Sequence, residues 1–283
     1  TWITAGTGLA PVLAYYLVQS TPQWRAQLAA EKFYNANFAG WNELAAAVSE
    51  EKAKVPGMRL LADNFKSGAE LGFALGDPRI AVLDHPLNHK HGRAPQLKLW
   101  GLQSDGSRDV PMLLVVGASD VQYKSLLAYY HQLCDMVGPL PSPRVVNVDH
   151  GRQRFLLFTL PATRAVGACS TPAFAWIDTP VSSAVVDHQL QVTGWAFKDG
   201  EGLAEVEVLV DGEVMAKAEY GKPSPGTEAF WKVSNDPNHP NVGFSASVDL
   251  RSVEPGRRWL GLRLHGRDGS VEDWAEQPIH VSE

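Results

Sequence analysis

The class of the fold follows from one stretch, Met58-Arg-Leu-Leu-Ala-Asp-Asn-Phe-Lys-Ser-Gly-Ala-Glu-Leu-Gly-Phe-Ala-Leu-Gly-Asp-Pro-Arg-Ile-Ala-Val-Leu83. Its two ends, residues 58–62 and 80–83, are short apolar runs that predict buried strands. Between them, Asp63 or Asn64 can cap a helix. The expected inner face of that helix consists of Phe65, Gly68, Ala69, Gly72 and Phe73. A strand, a helix and a second strand in this order predict an α/β sheet.

The flanking sequence continues this alternation on both sides. The further elements are helices at residues 41–48 and 126–137, strands at residues 96–100 and 110–116, and a hairpin at residues 144–160. Gly117-Ala-Ser-Asp120 follows the strand at residues 110–116 as a strand-to-helix turn. Residues 25–168 are therefore predicted to form an α/β domain with a mixed sheet and flanking helices.

The pattern changes near residue 169, beyond which no helical period is visible. About seven short runs with strand character follow at roughly regular spacing, and Asp211-Gly212 is typical of a tight hairpin turn. Such spacing predicts an all-β immunoglobulin-like sandwich over residues 169–283.

Composition restricts the classes of function. The chain has 283 residues and a formal net charge of −6, and no basic stripe is visible, which excludes a typical nucleic-acid partner. The two cysteines, Cys134 and Cys169, form neither a disulfide framework nor a zinc motif. One buried thiol and one loop thiol is the favoured interpretation, and a single bridge between them stays open.

Residues 1–24 form a separate apolar segment without Asp, Glu, Lys, Arg or His. A membrane-spanning helix needs about 20 apolar residues, and Gly6, Gly8 and Pro11 weaken this one. Two interpretations are open: the end of a membrane helix, or an apolar helix packed on the α/β domain. Because the chain begins with Thr1 and lacks the basic start of a signal peptide, we expect a fragment or a processed chain.

The segment from Asp84 to Gln96 is the most unusual part of the chain. Three of the nine histidines fall within seven residues of it, beside one lysine and one arginine. Loops that follow strands of α/β domains carry binding residues, so an anion or sugar-phosphate site is one hypothesis. That site would use Asn88, His89, Lys90, His91, Arg93 and Gln96.

Two other interpretations of the same segment remain open. A metal site would draw its ligands from Asp84, His85, His89 and His91. Spacing alone does not make ligands converge, so this hypothesis is weaker, and no cofactor is assigned. A solvated loop would use the same side chains for structural hydrogen bonds only.

Two further groups of residues favour structural roles. Residues 149–154, Asp-His-Gly-Arg-Gln-Arg, are predicted to form a solvated hairpin tip, with a second basic rim as the functional alternative. The sandwich aromatics are predicted to lie in its core, with a sugar-stacking platform as the alternative. These aromatics are Trp195, Phe197, Phe230, Trp231 and Phe244. No catalytic motif is present, and no catalytic residue is assigned.

Several stretches resemble known families. Residues 24–165 are similar to the extracytoplasmic part of bacterial membrane glycosyltransferases related to the dolichyl-phosphate-mannose protein mannosyltransferases and to the aminoarabinose transferase of lipid A. The stretches that carry this resemblance are Phe38-Ala-Gly-Trp41-Asn-Glu-Leu-Ala45, Leu61-Ala-Asp-Asn-Phe-Lys-Ser-Gly-Ala-Glu-Leu-Gly-Phe73 and His89-Lys-His-Gly-Arg-Ala-Pro-Gln-Leu-Lys-Leu-Trp100. The sandwich, through Gly194-Trp-Ala-Phe197, Val208-Leu-Val-Asp-Gly212 and Asn241-Val-Gly-Phe244, resembles immunoglobulin-like modules of bacterial surface and carbohydrate-active proteins.

The first resemblance implies a parent protein with many membrane helices and a polyprenyl-phosphate sugar as donor. It places this region at the periplasmic face of the bacterial inner membrane, with the membrane-embedded domain of the same chain and a lipid-linked sugar or glycan as partners. The catalytic acid of that family lies in an early loop that this chain lacks. Two rival hypotheses are an extracytoplasmic carbohydrate-binding or adhesive module without catalytic activity, and a self-contained metal-dependent enzyme.

Overall fold

A computed structural model describes residues 2–283 of the chain. These residues form a mixed α/β structure with three β-sheets. The first sheet lies within residues 59–160, and the other two lie within residues 174–281 and face each other across a shared apolar core. Mixed α/β content with a β-sandwich part was predicted from the sequence, and the structure confirms it.

Within residues 2–283 there are eight α-helices, and those between residues 41 and 137 lie beside the first sheet. The eight helices are α1 (Trp2–Ser20), α2 (Pro22–Gln27), α3 (Trp41–Lys54), α4 (Phe65–Leu75), α5 (Pro86–Lys90), α6 (Ala94–Leu99), α7 (Tyr123–Val137) and α8 (Pro225–Phe230). Short 3-10 turns lie at Ala36–Phe38 and Ala118–Asp120.

The first sheet has six strands in the order β3-β2-β1-β4-β6-β5. They are β1 (Arg59–Ala62), β2 (Ala81–Leu83), β3 (Gln103–Ser104), β4 (Met112–Gly117), β5 (Arg144–Val148) and β6 (Gln153–Leu160). The first four are parallel, whereas β6 runs antiparallel to both β4 and β5. The strand order reverses between β1 and β4, and open α/β sheets bind ligands at such a switch point.

Local sequence explains the β1-α4-β2 crossover. The side chain of Asn64 accepts hydrogen bonds from the amides of Lys66 and Ser67 and so caps α4. The helix ends at Gly76, which has the left-handed φ of 64°. At Gly68 a Cβ atom would lie 2.7 Å from Val82 Cγ2, so the glycine allows α4 to lie directly on β2.

The sandwich contains the remaining ten strands. They are β7 (Phe174–Thr179), β8 (Val185–Val186), β9 (Gln189–Phe197), β10 (Leu203–Val210), β11 (Glu213–Lys217), β12 (Glu219–Lys222), β13 (Gly243–Asp249), β14 (Gly256–Gly266), β15 (Val271–Asp273) and β16 (Gln277–Val281). One sheet has the order β11-β10-β14-β16-β8, with β15 on β14, and the other has the order β12-β13-β9-β7.

The two parts of the chain share a second apolar core. Leu127, Tyr130 and Leu133 of α7 lie in one cluster with Phe174 and Trp231 of the sandwich. Beside this cluster, Cys134 and Cys169 form a disulfide bond. The bridge corrects the preference for two free thiols, because packing of α7 on the sandwich brings together two cysteines that lie 35 residues apart. The division of the chain at residue 168 stays a prediction.

Two predictions about the segment after β2 are wrong. Residues 96–100 belong mainly to helix α6, not to a strand, because Pro95 at the first turn favours a helix start and Leu97 alone turns inward. Residues 86–90 form helix α5 where a loop was expected, because His85 Nδ1 accepts a hydrogen bond from the Leu87 amide and so caps this turn.

Helix α1 does not pack on the sheet. Residues 6–17 are exposed along their whole length, which contradicts the interpretation of an apolar helix buried against the α/β part. Within residues 2–283, no helix combines the length and the apolar character that crossing a membrane requires.

Candidate functional site

Four polar segments meet at the carboxyl edge of the first sheet. Asp63 and Asn64 follow β1, the segment from Asp84 follows β2, and residues 118–120 follow β4. Because β5 runs parallel to β4, the tip at residues 149–152 lies at the same edge. The segment in which the sequence predicts a site therefore lies among other polar loops at one edge of the sheet.

At this edge, side chains of the protein accept hydrogen bonds from the first backbone amides of α4. The side chain of Asn64 accepts hydrogen bonds from the Lys66 and Ser67 amides, at 2.9 and 3.3 Å. The Phe65 amide donates to Asn88 Oδ1 at 2.9 Å, and Asn88 Nδ2 donates to the Leu83 carbonyl. Asn88 was predicted to bind an anion or a sugar, but it is fully buried and ties α5 to α4.

Asp63 is a fully buried carboxyl group beneath the same edge. It accepts hydrogen bonds from the Tyr129 hydroxyl at 2.6 Å and from the Gly117 amide at 3.2 Å. Burial raises the pKa of Asp63, although these two donors act in the opposite direction. The Tyr129 ring also contacts His85 edge-on, and burial lowers the pKa of that histidine.

A polar cluster lies at the ends of β1 and β4. Lys66 Nζ lies 2.6 Å from Asp120 Oδ1 and 3.0 Å from Asn37 Oδ1. The ammonium group also lies 5.8 Å from the Trp41 ring. The buried Ser67 hydroxyl lies beside Asp63 and lowers the pKa of that carboxyl group, against the effect of burial.

An apolar groove of about 990 Å³ lies between α4 and α6. Its lining includes Phe65, Ala69, Phe73, Ile80, Leu97 and Trp100. Phe73 is 89% exposed and Trp100 is 63% exposed, which is unusual for such large apolar side chains. Ala69 and Phe73 were predicted to face the core, but the sheet covers only the side of α4 that carries Ser67, Gly68 and Leu71.

The basic residues of the predicted site lie around one end of this groove. The Arg93 guanidinium lies 6.0 Å from the Phe65 ring, and the His91 ring lies 5.5 Å from it. Arg93 and Gln96 both line the groove, whereas His89 turns away and contacts Asp84 Oδ1 at 2.6 Å. Lys90 is exposed beside them.

The structure does not bring the four metal candidates together. His85 faces Tyr129 in the interior, and only Asp84 and His89 contact each other. Within residues 2–283, one group has ligand atoms close enough for a metal ion, namely Glu205, Glu207 and His265 on the sandwich. Lys217 pairs with Glu205, and His265 contacts Glu207 at 2.8 Å, so protein partners already engage this group.

The two other polar and aromatic groups have structural positions. The tip at residues 149–154 is solvated only in part, because Asp149 pairs with Arg25 of α2 and His150 and Arg154 contact the sandwich, whereas Arg152 is exposed. His150 stacks on Trp259 with ring centroids 3.6 Å apart, and Asp149 accepts a hydrogen bond from Tyr34 at 2.6 Å. Among the sandwich aromatics, Phe197, Trp231 and Phe244 are buried, Trp195 is half-buried and Phe230 is exposed.

Sequence reasoning did not identify the polar cluster around Lys66 or the groove. Lys66 and Asp120 were not predicted as site residues, although Asp63 directly follows the buried strand β1 and Asp120 lies in the turn after the buried strand β4. Acidic residues at the ends of two buried parallel strands are a signal that could have identified the cluster. No comparable pattern in the sequence indicates that the side chain of Phe73 is exposed.

Comparison with known proteins finds no family model that matches the chain and no match among curated proteins. Fibronectin(III)-like modules of CbhA from Clostridium thermocellum align with 38% of this chain and 94% of theirs, at 16% identity and a TM-score of 0.25. CopC from Methylosinus trichosporium OB3b aligns with 38% of this chain and 94% of its own, at 12% identity and a TM-score of 0.22. An endo-beta-1,4-mannanase from Thermotoga petrophila aligns with 88% of this chain and 44% of its own, at 9% identity and a TM-score of 0.28. These TM-scores support no inference about function.

Proposed function

We propose that this chain is the extracytoplasmic accessory region of a membrane glycosyltransferase that uses a polyprenyl-phosphate sugar donor. The chain would assist binding of the donor without catalysing sugar transfer. One observation carries the proposal: the apolar groove between α4 and α6 has the Arg93 guanidinium at one end. A prenyl phosphate has the same two parts in the same order, an apolar chain and an anionic group.

The electrostatics of the groove end favour an anion. Within residues 2–283, Arg93 forms no ion pair, and its nearest described partner is the ring of Phe65. A guanidinium beside an aromatic ring can still donate two parallel hydrogen bonds to a phosphate. His91 and Lys90 add donors at the same end. Asp77 also lines the groove, but its carboxylate pairs with Arg79 at 3.6 Å. The negative charge of Asp77 is therefore partly neutralised.

The attachment of the apolar segment supports a position beside a membrane. Arg25 of α2 forms ion pairs with Glu43 and with Asp149, which lies at the carboxyl edge of the sheet. The carboxyl end of α1, which directly precedes α2, therefore lies near the edge of the sheet at which Arg93 lies beside Phe65. A membrane-embedded domain of the same parent chain, joined through α1, would bring lipid-linked sugar to this edge.

Two further parts of the proposal concern compartment and fold. The disulfide between Cys134 and Cys169 is typical of proteins in an oxidising compartment, which favours the periplasmic face of the inner membrane. The two facing sheets, antiparallel except for the pair of β16 and β8, favour an immunoglobulin-like sandwich as the appended module. Its aromatics are mainly core residues, so they give little support to the rival hypothesis of a carbohydrate-binding module.

Isothermal titration calorimetry with farnesyl phosphate tests the proposal on the chain itself. We expect saturable binding by the wild-type chain and a roughly tenfold loss of affinity in Arg93→Gln, because a hydrogen bond to a charged group contributes about 1.5–3 kcal/mol. Lys98→Gln is the matched control, since Lys98 lies on α6 but lines a different depression. Its affinity should stay within about twofold of wild type.

Two outcomes would contradict the proposal. One is the absence of binding by the wild-type chain at millimolar ligand. The other is an equal loss of affinity in Arg93→Gln and Lys98→Gln, which would indicate attraction by general surface charge. Farnesol lacks the phosphate, so it should bind the wild-type chain more weakly than farnesyl phosphate does. The affinities of Arg93→Gln and Lys98→Gln for farnesol should be equal.

A further inference from the structure

We propose that the carboxyl edge of the first sheet rests on an anionic lipid bilayer, with helix α1 in the apolar interior of that bilayer. The surface that contacts the headgroups, the edge patch, comprises Trp24, Lys32, Phe33, Phe38 and Arg152. The inference rests on the proposed function, which requires a membrane beside this edge, and adds the residues that contact the lipid.

Helix α1 presents apolar surface on all sides. Residues 6–17 are exposed along their whole length, and Leu13, Tyr16 and Leu17 are each more than half exposed. Residues 1–24 contain no charged side chain and no histidine. A helix that is apolar all round is stable inside a protein core or inside lipid. Since no core of the described residues covers residues 6–17, lipid is the environment that suits this helix.

Two exposed aromatic side chains lie at the edge to which α1 leads. Trp24, which is 47% exposed, belongs to α2, and the ion pair between Arg25 and Asp149 holds α2 at the carboxyl edge. Phe33, which is 59% exposed, precedes Tyr34, whose hydroxyl donates to the same Asp149. Both rings are therefore anchored beside the tip of the β5-β6 hairpin.

Phe38 adds a third exposed ring at this edge, with 66% of its surface exposed. Its neighbour Asn37 accepts a hydrogen bond from Lys66 in the first turn of α4. Close packing of Gly40 on Val148, at the end of β5, holds the same segment from the other side. Exposed tryptophan and phenylalanine rings are favourable at the boundary between lipid headgroups and acyl chains.

The charges beside these rings favour anionic headgroups. Lys32 and Arg152 are exposed, and the Arg152 guanidinium lies 5.5 Å from the Tyr34 ring. Within residues 2–283 neither cation forms an ion pair, whereas Glu31 and Glu43 pair with arginines at 3.6 and 2.6 Å. The edge therefore presents unpaired positive charge, although the net charge of the chain is −6. A basic residue near an anionic membrane surface raises the affinity by roughly fivefold.

Matched control residues lie at the opposite edge of the sheet. Leu99 is 79% exposed and ends α6, which leads into β3. Lys54 is exposed and ends α3, which leads into β1. Because both helices end where a parallel strand begins, a bilayer at the carboxyl edge does not reach either side chain.

Flotation of the full chain with lipid vesicles tests the inference without any prenyl phosphate. One set of vesicles contains phosphatidylcholine alone, and the other also contains about a quarter phosphatidylglycerol. We expect the wild-type chain to bind both sets, and to bind the anionic vesicles at least about tenfold more tightly because two unpaired cations face the headgroups.

Substitutions of apolar residues measure the contribution of the aromatic rings. Leu13→Ser with Leu17→Ser weakens insertion of α1, so the remaining affinity reports on the edge patch. In this background, Phe33→Ser with Phe38→Ser should lower the affinity for both sets of vesicles roughly tenfold or more, because each ring buries apolar surface among the headgroups. The affinity of the Leu99→Ser control should stay within about twofold of its parent.

Substitutions of the cations separate charge from apolar contact. Lys32→Gln with Arg152→Gln should lower the affinity for anionic vesicles roughly tenfold or more and leave the affinity for neutral vesicles unchanged. Lys54→Gln should change neither affinity by more than about twofold. All these side chains are exposed, so the urea midpoints of the variants should equal that of their parent.

Several outcomes would overturn the inference. One is the absence of wild-type binding to both sets of vesicles, and another is equal affinity for the two sets. Complete loss of binding in the Leu13→Ser, Leu17→Ser background would show that α1 alone carries the interaction. Equal effects of the phenylalanine substitutions and of Leu99→Ser would indicate attachment through any exposed apolar residue.

The same measurements distinguish this inference from the proposed function. Vesicle binding through the edge patch together with no binding of farnesyl phosphate would sink the proposed function and leave the membrane contact. Binding of farnesyl phosphate that depends on Arg93, together with vesicle binding that ignores the edge patch, would retain the groove and overturn the contact with the bilayer.

Discussion

Two segments of this chain look alike in sequence, but the histidines of their shared triplet have opposite environments in the structure. Residues 84–93 and residues 149–154 both begin with Asp-His and contain a His-Gly-Arg triplet. In the second segment His150 is stacked on Trp259 and contacts Glu276 at 2.6 Å. In the first segment the corresponding His91 is exposed, and a phenylalanine ring lies near it. The arginines of the two triplets, Arg152 and Arg93, are both exposed beside an aromatic ring.

The difference arises from what packs on each segment. The sandwich packs on part of the tip at residues 149–154, where Trp259 and Glu276 contact His150. Asp149 instead pairs with Arg25 and Tyr34, which precede the sheet in the chain. Arg154 donates to the Asp273 carbonyl at 2.9 Å, and its guanidinium lies 4.5 Å from the Trp274 ring. Nothing in residues 2–283 covers residues 89–93 in this way, although His85 and Asn88 of the same segment are buried. Unpaired charge beside exposed apolar surface is therefore the local feature that distinguishes a binding surface from a junction.

The largest effect is expected at the buried ion cluster beneath the tip. Glu272 Oε1 lies 2.8 Å from Lys198 Nζ, and both side chains are almost completely buried. Glu272→Ala removes the buried partner of Lys198, which then keeps only Ser270 Oγ and the more distant Asp268 carboxylate, and it also leaves the buried Ala173 amide without an acceptor. We therefore expect a loss of about 3 kcal/mol in the free energy of unfolding. Urea denaturation measures it, with the exposed Glu254→Ala as control. A loss below about 1 kcal/mol would show that water reaches Lys198 and that the junction is loose.

The next largest effect concerns the disulfide at the junction. Cys134 and Cys169 close a loop of 35 residues. Replacing both by alanine should lower the free energy of unfolding by about 3 kcal/mol, mainly because the unfolded chain gains freedom. Urea denaturation of the double variant measures this loss, and reduced wild type is the matched comparison. An unchanged midpoint would mean that the cysteines do not pair in solution.

Replacing one histidine in each segment by alanine compares the two segments directly. His150→Ala removes the contact with Glu276 and the stacking on Trp259, so we expect it to lower the free energy of unfolding by about 1–3 kcal/mol. His91→Ala removes an exposed side chain and should change the free energy of unfolding by less than about 0.5 kcal/mol. Equal losses of unfolding free energy in His150→Ala and His91→Ala would contradict the distinction between a packed junction and an open binding surface.

The smallest effect is a pH dependence at His85. Burial lowers the pKa of His85, and its Nδ1 accepts a hydrogen bond as the cap of α5. Its contribution to stability is therefore complete above the unfolded pKa near 6.5 and is lost as the pH falls. His85→Asn keeps a capping acceptor, so its stability should fall less than that of wild type between about pH 7 and about pH 5. A parallel decline of both proteins in urea unfolding would contradict the assignment.

The fold was largely predictable because apolar runs decide which strands are buried. The runs at residues 58–62, 80–83 and 110–116 all contribute parallel strands, and the hairpin at residues 144–160 is present. The strand predicted at residues 96–100 failed because alternation over five residues cannot be separated from one helical turn, and Pro95 decided between them. The disulfide depended on tertiary packing that spacing does not reveal.

The candidate site was predictable in position but not in detail. The segment at residues 84–96 was correctly placed after a strand, because parallel strands carry their loops at one edge. Asn88 could not be recognised as a buried tie, since its partner is the backbone of Phe65 in another segment. The groove could not be found, because an apolar helix face does not show how much of it the sheet covers. Phe73 and Ala69 lie on the part that stays open.

Backbone NMR during titration with farnesyl phosphate tests the central comparison most directly. The account predicts shifts of amides along the groove, at residues 65–73 and 91–100, with residues 149–154 unchanged. Shifts confined to the exposed apolar helix α1 would contradict it, because they would indicate nonspecific attachment of the lipid chain. Shifts at residues 149–154 without any at residues 91–100 would reverse the roles of the two histidine-arginine segments.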